Sequence, residues 1–386
     1  MSERGTLFFI DNLRIALIVL VIAHHAGQAY GPTGGFWYFE NSDRASILSA
    51  CFVVNRSFFM SLFFMISGYF LPASYDRKGA KDFLTDRLRR LGEPLLFFFF
   101  VVIPVMMYAY YLNFRHYAHL PFFVYYSRIY FGRGTRPFDW SGRWPDVQFG
   151  HLWFIEHLLV FAVCYTILRF ILPHLARTDN EGERSPRNLE ILAFTLGLAV
   201  VTFVVRIWYP IDRWSAFLGF IQVAFADVPR DLSFFVIGVI AYRRNWFLNM
   251  PKKAGRVWLL VGLAAAACYY GLFLTGHPYF SGGGLNLQSL VYDFGEAFLC
   301  TGLCIGLLIF FRGNLNSQGT LAKNLAGSTY AVYLFHVPVV VFLQYAIRHA
   351  DMAAIIKFAV VTLAAIPLTF LMSSYIRRLP HVRRVL

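Results

Sequence analysis

The sequence predicts an all-α integral membrane protein, a polytopic bundle of about ten transmembrane helices with both termini in the cytoplasm. Of its 386 residues, 58% are hydrophobic and only 15% are charged, whereas soluble globular domains carry about 25% charged residues. The mean hydropathy is +0.54. Apolar stretches long enough to cross about 30 Å of hydrocarbon recur along the whole chain. This combination excludes an ordinary soluble domain.

Nine apolar stretches have the length that a membrane-spanning helix requires. In chain order they are Leu7–Ala26, Phe52–Leu71, Pro94–Leu112, His151–Leu172, Leu189–Trp208, Val257–Thr275, Leu290–Phe311, Leu325–Ile347 and Met352–Tyr375. A tenth stretch, Trp214–Tyr242, is interrupted by the polar sequence DVPRD at Asp227–Asp231. We therefore predict a tenth span that contains a polar break.

The positive charges predict the orientation of these spans. With a cytoplasmic N-terminus and ten helices, most Lys and Arg residues fall in inside segments, in the runs DRKGAKDFLTDRLRR, YRRNWFLNMPKKAGR and RRLPHVRRVL. This distribution follows the positive-inside rule. The positive-inside rule therefore accounts for the net charge of +14. Membrane lipids are predicted partners, and no nucleic-acid partner is predicted. A bacterial cytoplasmic membrane is the predicted location.

The chain is predicted to form a single membrane domain over residues 1–386. No short repeat is visible, and the polar loop Arg177–Asn188 is too short to form a domain. The segment before the first apolar stretch contains a single positive charge, Arg4, and no cleavage site is evident. We therefore expect this stretch to remain in the protein as a transmembrane helix. The chain ends soon after the tenth span, and we therefore expect no separate soluble domain.

The first predicted helix contains residues that lipid disfavours. Asp11 and Arg14 are three positions apart and can pair on one face, which lowers the penalty of about 2.5 to 3.5 kcal/mol for a charge in the membrane centre. His25 follows Arg14 by eleven positions, three turns plus about 20°, and lies about 16 Å further along the axis. His24 lies about 80° away from that line. The sequence therefore favours His25 for chemistry, with His24 as an interfacial side chain.

Six motifs in order give the chain a specific resemblance. The first is Arg14, ten residues, then His25, after the sequence DNLR. The others are LFFMISGYFLP (62–72), FLTDRLRRLGEP (83–94), HLWFIEHLLVF (151–161), FFVIGVIAYR (234–243) and STYAVYLFHVPVV (328–340). The chain resembles the acyltransferase 3 family of integral membrane acyltransferases along nearly its whole length.

This resemblance implies the transfer of an acyl group, acetyl or also succinyl, from cytoplasmic acyl-CoA to a hydroxyl of an envelope glycan or related acceptor. It implies His25 as the catalytic histidine and Arg14 as its partner charge. It also implies that Arg87 and Arg90 bind the CoA phosphates, although their position alone favours a positive-inside anchor. Acyl-CoA acts as a co-substrate, and no tightly bound cofactor is expected. The strings HLWF and SGYF are similar to the periplasmic-glucan succinyltransferase branch and also occur more widely.

Histidine chemistry is compatible with this transfer. An unperturbed histidine has a pKa of about 6.5, so its neutral form can accept the proton of an attacking hydroxyl. A covalent acyl-histidine is the rival mechanism. The sequence leaves both open.

Several other polar residues lie in the predicted helices. Glu156 is an intramembrane carboxylate with a functional or a packing role. His336 matches a family position, but Pro338 close behind it also suggests a role in helix geometry. Asp293 and Glu296 can neutralise Arg230 or Arg14. The residues His151 and His157 lack an HExxH pattern, and we expect no metal.

The long outer segment from Asn113 to Gly150 is rich in aromatic residues and arginine. We expect it to help hold a carbohydrate or lipid-linked acceptor, with an interfacial aromatic belt as the alternative. Deletion of Phe138–Trp144 would then weaken acceptor use but not CoA binding.

A polytopic secondary transporter that exports a small metabolite or glycan is the alternative function. Ten helices, a broken span and buried charges fit such a protein. The chain shows no paired broken helices in corresponding halves, and the stripe from Arg14 to His25 favours a reaction. A receptor or scaffold is disfavoured because most predicted loops are short.

Overall fold

The computed structural model describes residues 7–32, 37–115, 117–138, 144–172, 184–211, 213–217, 221–277, 281–380 and 382–385. Helices dominate these ranges. They are α1 (Phe8–Gly27), α2 (Leu48–Arg87), α3 (Glu93–Phe97), α4 (Ile103–Asn113), α5 (Phe122–Tyr125), α6 (Trp153–Ile171), α7 (Asn188–Trp208), α8 (Val228–Arg243), α9 (Trp246–Asn249), α10 (Lys252–Leu274), α11 (Leu287–Asn314), α12 (Thr320–Ala346) and α13 (Ala354–Ile376). The all-α fold is confirmed.

Short segments of other secondary structure connect these helices. Leu88–Gly92, Phe98–Val102 and Tyr126–Tyr130 are π-helical, and Gly150–Leu152 and Val382–Arg384 are 3₁₀-helical. The strands β1 (Trp214–Phe217) and β2 (Ile221–Ala224) form an antiparallel hairpin in which Trp214 lies opposite Ala224.

Eight helical segments in the described ranges are long and apolar enough to cross a membrane. One of them, Leu48–Asn113, is 66 residues long and contains two of the spans predicted from the sequence. A straight helix of this length would extend about 100 Å, so the run must bend. Gly79 provides a break, because its backbone has φ 76° and ψ 171°, a combination that suits glycine.

The tenth predicted span differs from the prediction in its first half. Trp214–Phe217 and Ile221–Ala224 are the two strands of the β-hairpin, and the helix begins only at Val228. The DVPRD sequence therefore starts α8 and does not interrupt it. Pro229 lies in the first turn of this helix, where its missing N–H group breaks no helical hydrogen bond.

The short helix α8 packs closely along α2. An added Cβ on Gly238 would lie 2.1 Å from the carbonyl oxygen of Met65, and one on Gly68 would lie 2.2 Å from that of Phe235. Small residues allow this approach of two membrane helices. Salt bridges at the two ends of α8, from Asp227 to Arg56 and from Arg243 to Asp76, show that α8 runs beside about twenty residues of α2.

Helix α1 lies among α2, α11, α12 and α13. Its core positions are fully packed, and Leu17, Ile18, Val21 and Ile22 have at most 2% of their surface exposed. We name the end of the bundle that contains Phe8 the inner end and the end that contains Gly27 the outer end, following the predicted orientation. Arg14 and His25 therefore mark the two ends of one central helix.

Candidate functional site

The candidate active site at the outer end is a pair of histidines from α1 and α12. Nδ1 of His25 lies 2.7 Å from Nε2 of His336, and the two ring planes differ by only 5° with centroids 4.9 Å apart. His336 is fully buried, whereas His25 is partly buried. The structure thus joins the two histidines that the sequence analysis took from separate motifs.

The hydrogen bonds fix which nitrogen of each histidine carries the proton. Nδ1 of His336 lies 2.7 Å from the carbonyl oxygen of Tyr333, and a carbonyl can only accept, so this nitrogen donates. In a neutral imidazole the other nitrogen is then an acceptor, and Nδ1 of His25 donates to it. Nε2 of His25 consequently carries a free lone pair, which is the form that a general base requires.

Pro338 explains how a third histidine joins the pair. Proline has no N–H group, so the carbonyl of Leu334, four residues earlier, lacks its helical partner. Nε2 of His151 donates to that carbonyl at 2.9 Å, and the His151 ring lies 5.2 Å from the His336 ring. The hydroxyl of Tyr333 donates to the carbonyl of His151. The proline thus has a local role in helix geometry that also positions the site.

A tryptophan covers the other side of His25. The ring centroids of Trp37 and His25 are 5.3 Å apart. Trp37 Nε1 donates to Gln344 at 2.8 Å, and the Gln344 amide donates to the carbonyl of Ala26 at 3.1 Å. These two buried bonds hold the indole ring in place, so this wall of the site is rigid.

The neighbouring histidine faces elsewhere, as the helical angles predicted. His24 packs against α2, with ring centroids 4.9 Å from Phe52 and 5.2 Å from Phe59. Its Nε2 lies 3.1 Å from the Gln28 amide. His24 therefore provides a matched control for any experiment on His25.

Arg14 lines a cavity of about 450 Å³ at the inner end. Asp11 and Lys323 also line it, and an Arg14 nitrogen lies 3.6 Å from an Asp11 oxygen. Arg377 lies at its rim, because an added Cβ on Gly327, another lining residue, would be 3.0 Å from Arg377. Cations therefore outnumber anions here, and the cavity suits an anionic ligand.

The remaining lining residues are Phe8, Gln318 and Ala326. Sequence analysis did not identify Lys323, since a lone lysine near a predicted helix start resembles an ordinary positive-inside residue. Its contribution depends on the packing of α12 against α1.

Arg87 and Arg90 lie at the inner end but do not line this cavity. Arg90 donates to Asp86 at 3.1 Å and its side chain is 55% exposed. The Arg87 guanidinium lies 5.1 Å from the centre of the Phe83 ring. The helix becomes π-helical at Leu88, which changes the angle between the two side chains. Their role in donor binding remains a prediction.

A buried charged network lies in the outer half of the bundle. Arg206 contacts three carboxylates: Asp293, Glu296 at 2.7 Å and Asp227 at 3.3 Å. Arg230 contacts two of the same groups, Glu296 at 2.8 Å and Asp227 at 3.2 Å. Glu296 thus pairs with Arg230, one of the two partners that the sequence suggested, whereas Asp293 pairs with Arg206 and Arg14 lies elsewhere.

Two further side chains complete this network on α2. Arg56 reaches Asp227 at 3.1 Å, and Ser61 donates to Asp231 at 2.7 Å. Sequence analysis missed Arg206 and Arg56, although an arginine within an apolar stretch is itself a signal of a buried partner.

Glu156 is buried on α6, where only 4% of its surface is exposed. Its carboxylate approaches the backbone N–H of Gln222 on β2, but the geometry is outside that of a formed hydrogen bond. Glu156 is not part of the histidine group. Across the described ranges, no three His, Cys, Asp or Glu side chains are arranged to hold a metal ion.

The outer segment from Asn113 to Gly150 has a buried anchor. Asp146 pairs with Arg115 at 2.9 Å and accepts a hydrogen bond from Tyr125 at 2.8 Å. Burial raises the pKa of the Asp146 carboxyl above its ordinary value, and Arg115 opposes this rise. Residues 139–143, most of the proposed deletion, lie outside the described residues.

Comparisons with known proteins agree with the motif order. The model of a family described as an acyltransferase domain matches residues 7–374. Relatives from three Escherichia coli strains, SMS-3-5, O81 ED1a and K12, are each named glucans biosynthesis protein C. Each is 24% identical over 352 or 355 residues, which cover 87% of this chain and 82% of the relative. No solved structure matches the chain.

Proposed function

This chain belongs to the membrane acyltransferase family whose model spans residues 7–374, and on that premise we propose that it transfers an acyl group from acyl-CoA to a hydroxyl of an envelope glycan. The pairing of His25 with His336 is the observation that carries the proposal, because it leaves a basic nitrogen free at the outer end of α1. The relatives named for glucan biosynthesis suggest a glucan as the acceptor.

The donor is proposed to enter from the inner end. CoA carries several phosphates, and Arg14, Lys323 and Arg377 surround a cavity of suitable charge. An arginine fork binds phosphate oxygens well, and a lysine acts as a point charge. Arg87 and Arg90 increase the positive potential at the same end. The acyl group is acetyl or succinyl.

In the proposed reaction, Nε2 of His25 accepts the proton of the acceptor hydroxyl as its oxygen attacks the thioester carbonyl. The new C–O ester bond forms, the C–S bond breaks, and the proton passes to the departing CoA sulfur. His336 holds the proton on Nδ1 of His25 and spreads the positive charge that develops on the ring. This is the role of the third group in a nucleophile–base–orienter arrangement. An acyl-histidine intermediate on the same nitrogen is the competing route.

The test compares wild type with His25→Ala and His24→Ala in membranes supplied with labelled acetyl-CoA or succinyl-CoA and an envelope glucan fraction. We expect wild type and His24→Ala to label the glucan and His25→Ala to be inactive. If His25→Ala matches wild type, the assignment is wrong. If no variant consumes either donor, the transporter alternative gains support.

A second arm tests the donor end. We expect Lys323→Ala and the double variant Arg87→Ala/Arg90→Ala each to raise the KM for acyl-CoA, while Lys252→Ala, a basic residue at the same end of the bundle, does not. Unchanged KM values in both variants would remove these residues from the donor site.

A further inference from the structure

The inner end of the bundle contains a helical break at Pro94. The segment Leu88–Gly92 is π-helical, and Pro94 follows it after one residue. Proline has no N–H group, so the carbonyl of Arg90, four residues earlier, lacks its α-helical partner. A backbone carbonyl that loses its helical partner needs another donor. That donor has to come from a different element.

Tyr330 of α12 is the donor to this carbonyl. Its hydroxyl lies 2.5 Å from the Arg90 carbonyl oxygen, although the two residues are 240 positions apart. Tyr330 lies one helical turn beyond Ala326 and Gly327, which line the inner cavity together with Arg14. The hydrogen bond therefore joins the α12 wall of the inner cavity to the turn that carries Arg90.

The arginine side chains of this turn retain capacity for an anion. Nε of Arg87 is buried and has no hydrogen-bond partner among the described residues. Arg90 uses its Nε for the bond to Asp86, and Asp86 also pairs with Lys78 at 2.8 Å. One carboxylate thus faces three cations, and the turn keeps a net positive charge. Guanidinium N–H groups that are not engaged can bind phosphate oxygens.

The spacing between this turn and the inner cavity matters for a ligand with several phosphates. Arg87 and Arg90 do not line the cavity, so a ligand contacts both places only if it extends beyond the lining residues. CoA can do so, because its phosphates lie on a diphosphate bridge and on the ribose. Once one phosphate group is bound, the second contact is intramolecular and depends on the distance between the two places. The element that fixes this distance therefore affects donor affinity.

The same backbone arrangement recurs ten residues later, away from the donor end. The segment Phe98–Val102 is π-helical, and Pro104 follows it after one residue. The Phe100 carbonyl, four residues before Pro104, accepts a hydrogen bond from the Tyr126 hydroxyl at 3.1 Å. Tyr126 belongs to the outer segment. It performs the same task for the backbone as Tyr330 and is therefore a matched control.

We propose that Tyr330 is a positioning residue for donor binding. Its hydrogen bond to the Arg90 carbonyl holds the guanidinium groups of Arg87 and Arg90 at the distance from the inner cavity that one acyl-CoA molecule requires. Tyr330 acts through these arginines and not by contact with the phosphates. The inference rests on the proposed function for the identity of the donor.

Binding of CoA tests this role without requiring any transfer. Purified wild type, Tyr330→Phe, Tyr126→Phe and Arg87→Ala/Arg90→Ala would be titrated with CoA in detergent by isothermal calorimetry. We expect Tyr330→Phe to weaken binding about fivefold, the effect of one neutral hydrogen bond, and Tyr126→Phe to bind like wild type. In the double-arginine background, Tyr330→Phe should cause no further loss, because no guanidinium group remains to be positioned.

A second variant separates positioning from simple stabilisation. In Tyr330→Phe/Pro94→Ala, the alanine N–H group can bond to the Arg90 carbonyl within the helix, while the link to α12 stays broken. We expect this variant to regain the melting temperature of wild type and to keep the weakened CoA binding. Recovery of both would mean that the hydroxyl only satisfies a carbonyl, and the inference would be overturned.

Kinetics separate this inference from the proposed function. We expect Tyr330→Phe to raise the KM for acyl-CoA about fivefold and to leave kcat and the acceptor KM unchanged. If Tyr330→Phe binds CoA like wild type while Arg87→Ala/Arg90→Ala binds it weakly, the inference is overturned and the enzyme assignment stands. If the double-arginine variant also binds like wild type, the inference fails together with the donor role of the two arginines. If wild type neither binds CoA nor transfers label, the proposed function fails as well.

Discussion

At the scale of single residues, the central feature is a chain of hydrogen bonds that ends on a free nitrogen. The Tyr333 carbonyl fixes the proton on Nδ1 of His336, and His336 in turn fixes the proton on Nδ1 of His25. A carboxylate often plays this orienting role in hydrolases. A neutral histidine in the same place adds no negative charge to a site inside the membrane, where an unpaired charge is expensive.

Substitution of His336 tests this relay. We expect His336→Ala to lower kcat by about 10²- to 10³-fold, within the range that positioned acid–base groups contribute, with little change in the KM for acyl-CoA. His336→Gln should retain more activity because its amide oxygen can accept the same hydrogen bond. Steady-state kinetics with His24→Ala as control provides the measurement. Equal losses in the Gln and Ala variants would contradict an orienting role.

Pro338 provides a second residue-scale test. We expect Pro338→Ala to reduce the turnover rate while the melting temperature stays the same or rises. Alanine restores the N–H group that the Leu334 carbonyl lacks and so competes with His151, and it also suits a helix interior better than proline. Activity and thermal unfolding would be measured on the same preparation.

The matched control is Pro367→Ala, which changes a proline inside α13. We expect it to leave activity unchanged. Equal activity of Pro338→Ala and wild type would mean that the His151 bond does not position the site.

At the scale of elements, the pairing of α2 with α8 organises the outer half of the bundle. The two helices run alongside each other, and salt bridges join both ends: Asp227 to Arg56 at 3.1 Å and Arg243 to Asp76 at 2.7 Å. Glycines at the contact let the backbones approach. This pairing holds Asp227 and Asp231 within the buried charged network.

A single methyl group should disturb this contact. In Gly238→Ala the new Cβ would lie 2.1 Å from a Met65 backbone oxygen, which cannot move like a side chain, and we expect a loss of about 1 to 3 kcal/mol in the free energy of unfolding. Gly197→Ala is the control, because no atom lies within 4 Å of its added Cβ and helix propensity predicts a gain of about 0.5 to 1 kcal/mol. Thermal unfolding in detergent measures both, and equal stability of the two variants would contradict the close packing.

At the scale of the whole molecule, charge is divided between the two ends of the central helices. The inner cavity is lined by Arg14 and Lys323, whereas the charges of the outer half are paired within the buried network. This division suits an anionic donor at the inner end. Arg14 and His25 lie about 16 Å apart along α1, and the core side chains of α1 between them are buried.

The buried network should be indispensable to this arrangement. We expect Arg206→Met to lower the free energy of unfolding by about 3 to 5 kcal/mol, because it leaves Asp293 and Glu296 with too little compensating charge in a buried site. Arg184→Met removes an exposed partner of Glu190 at 2.7 Å and should change it by less than about 1 kcal/mol. Comparable folded yields and melting temperatures for the two variants would contradict a stabilising role for the network.

The sequence by itself determined the membrane class, the helical fold, most of the spans and the family. Those properties depend on composition, on runs of apolar residues and on motif order, all of which are local. Helical angles within the chain also separated His25 from His24, since a rotation of about 100° per residue fixes which side chains share a face.

Only the tertiary structure decided which residues meet. The contact of His25 with His336 spans 311 positions, and no local pattern specifies such a pair. No local pattern specifies that Lys323 lies beside Arg14, or that Arg206 lies among the carboxylates. Nor does a local pattern show that Arg87 and Arg90 lie at the inner end of the bundle without lining the inner cavity. The β-hairpin in the first half of the tenth predicted span could not be predicted either, because apolar content alone does not distinguish a strand from a helix.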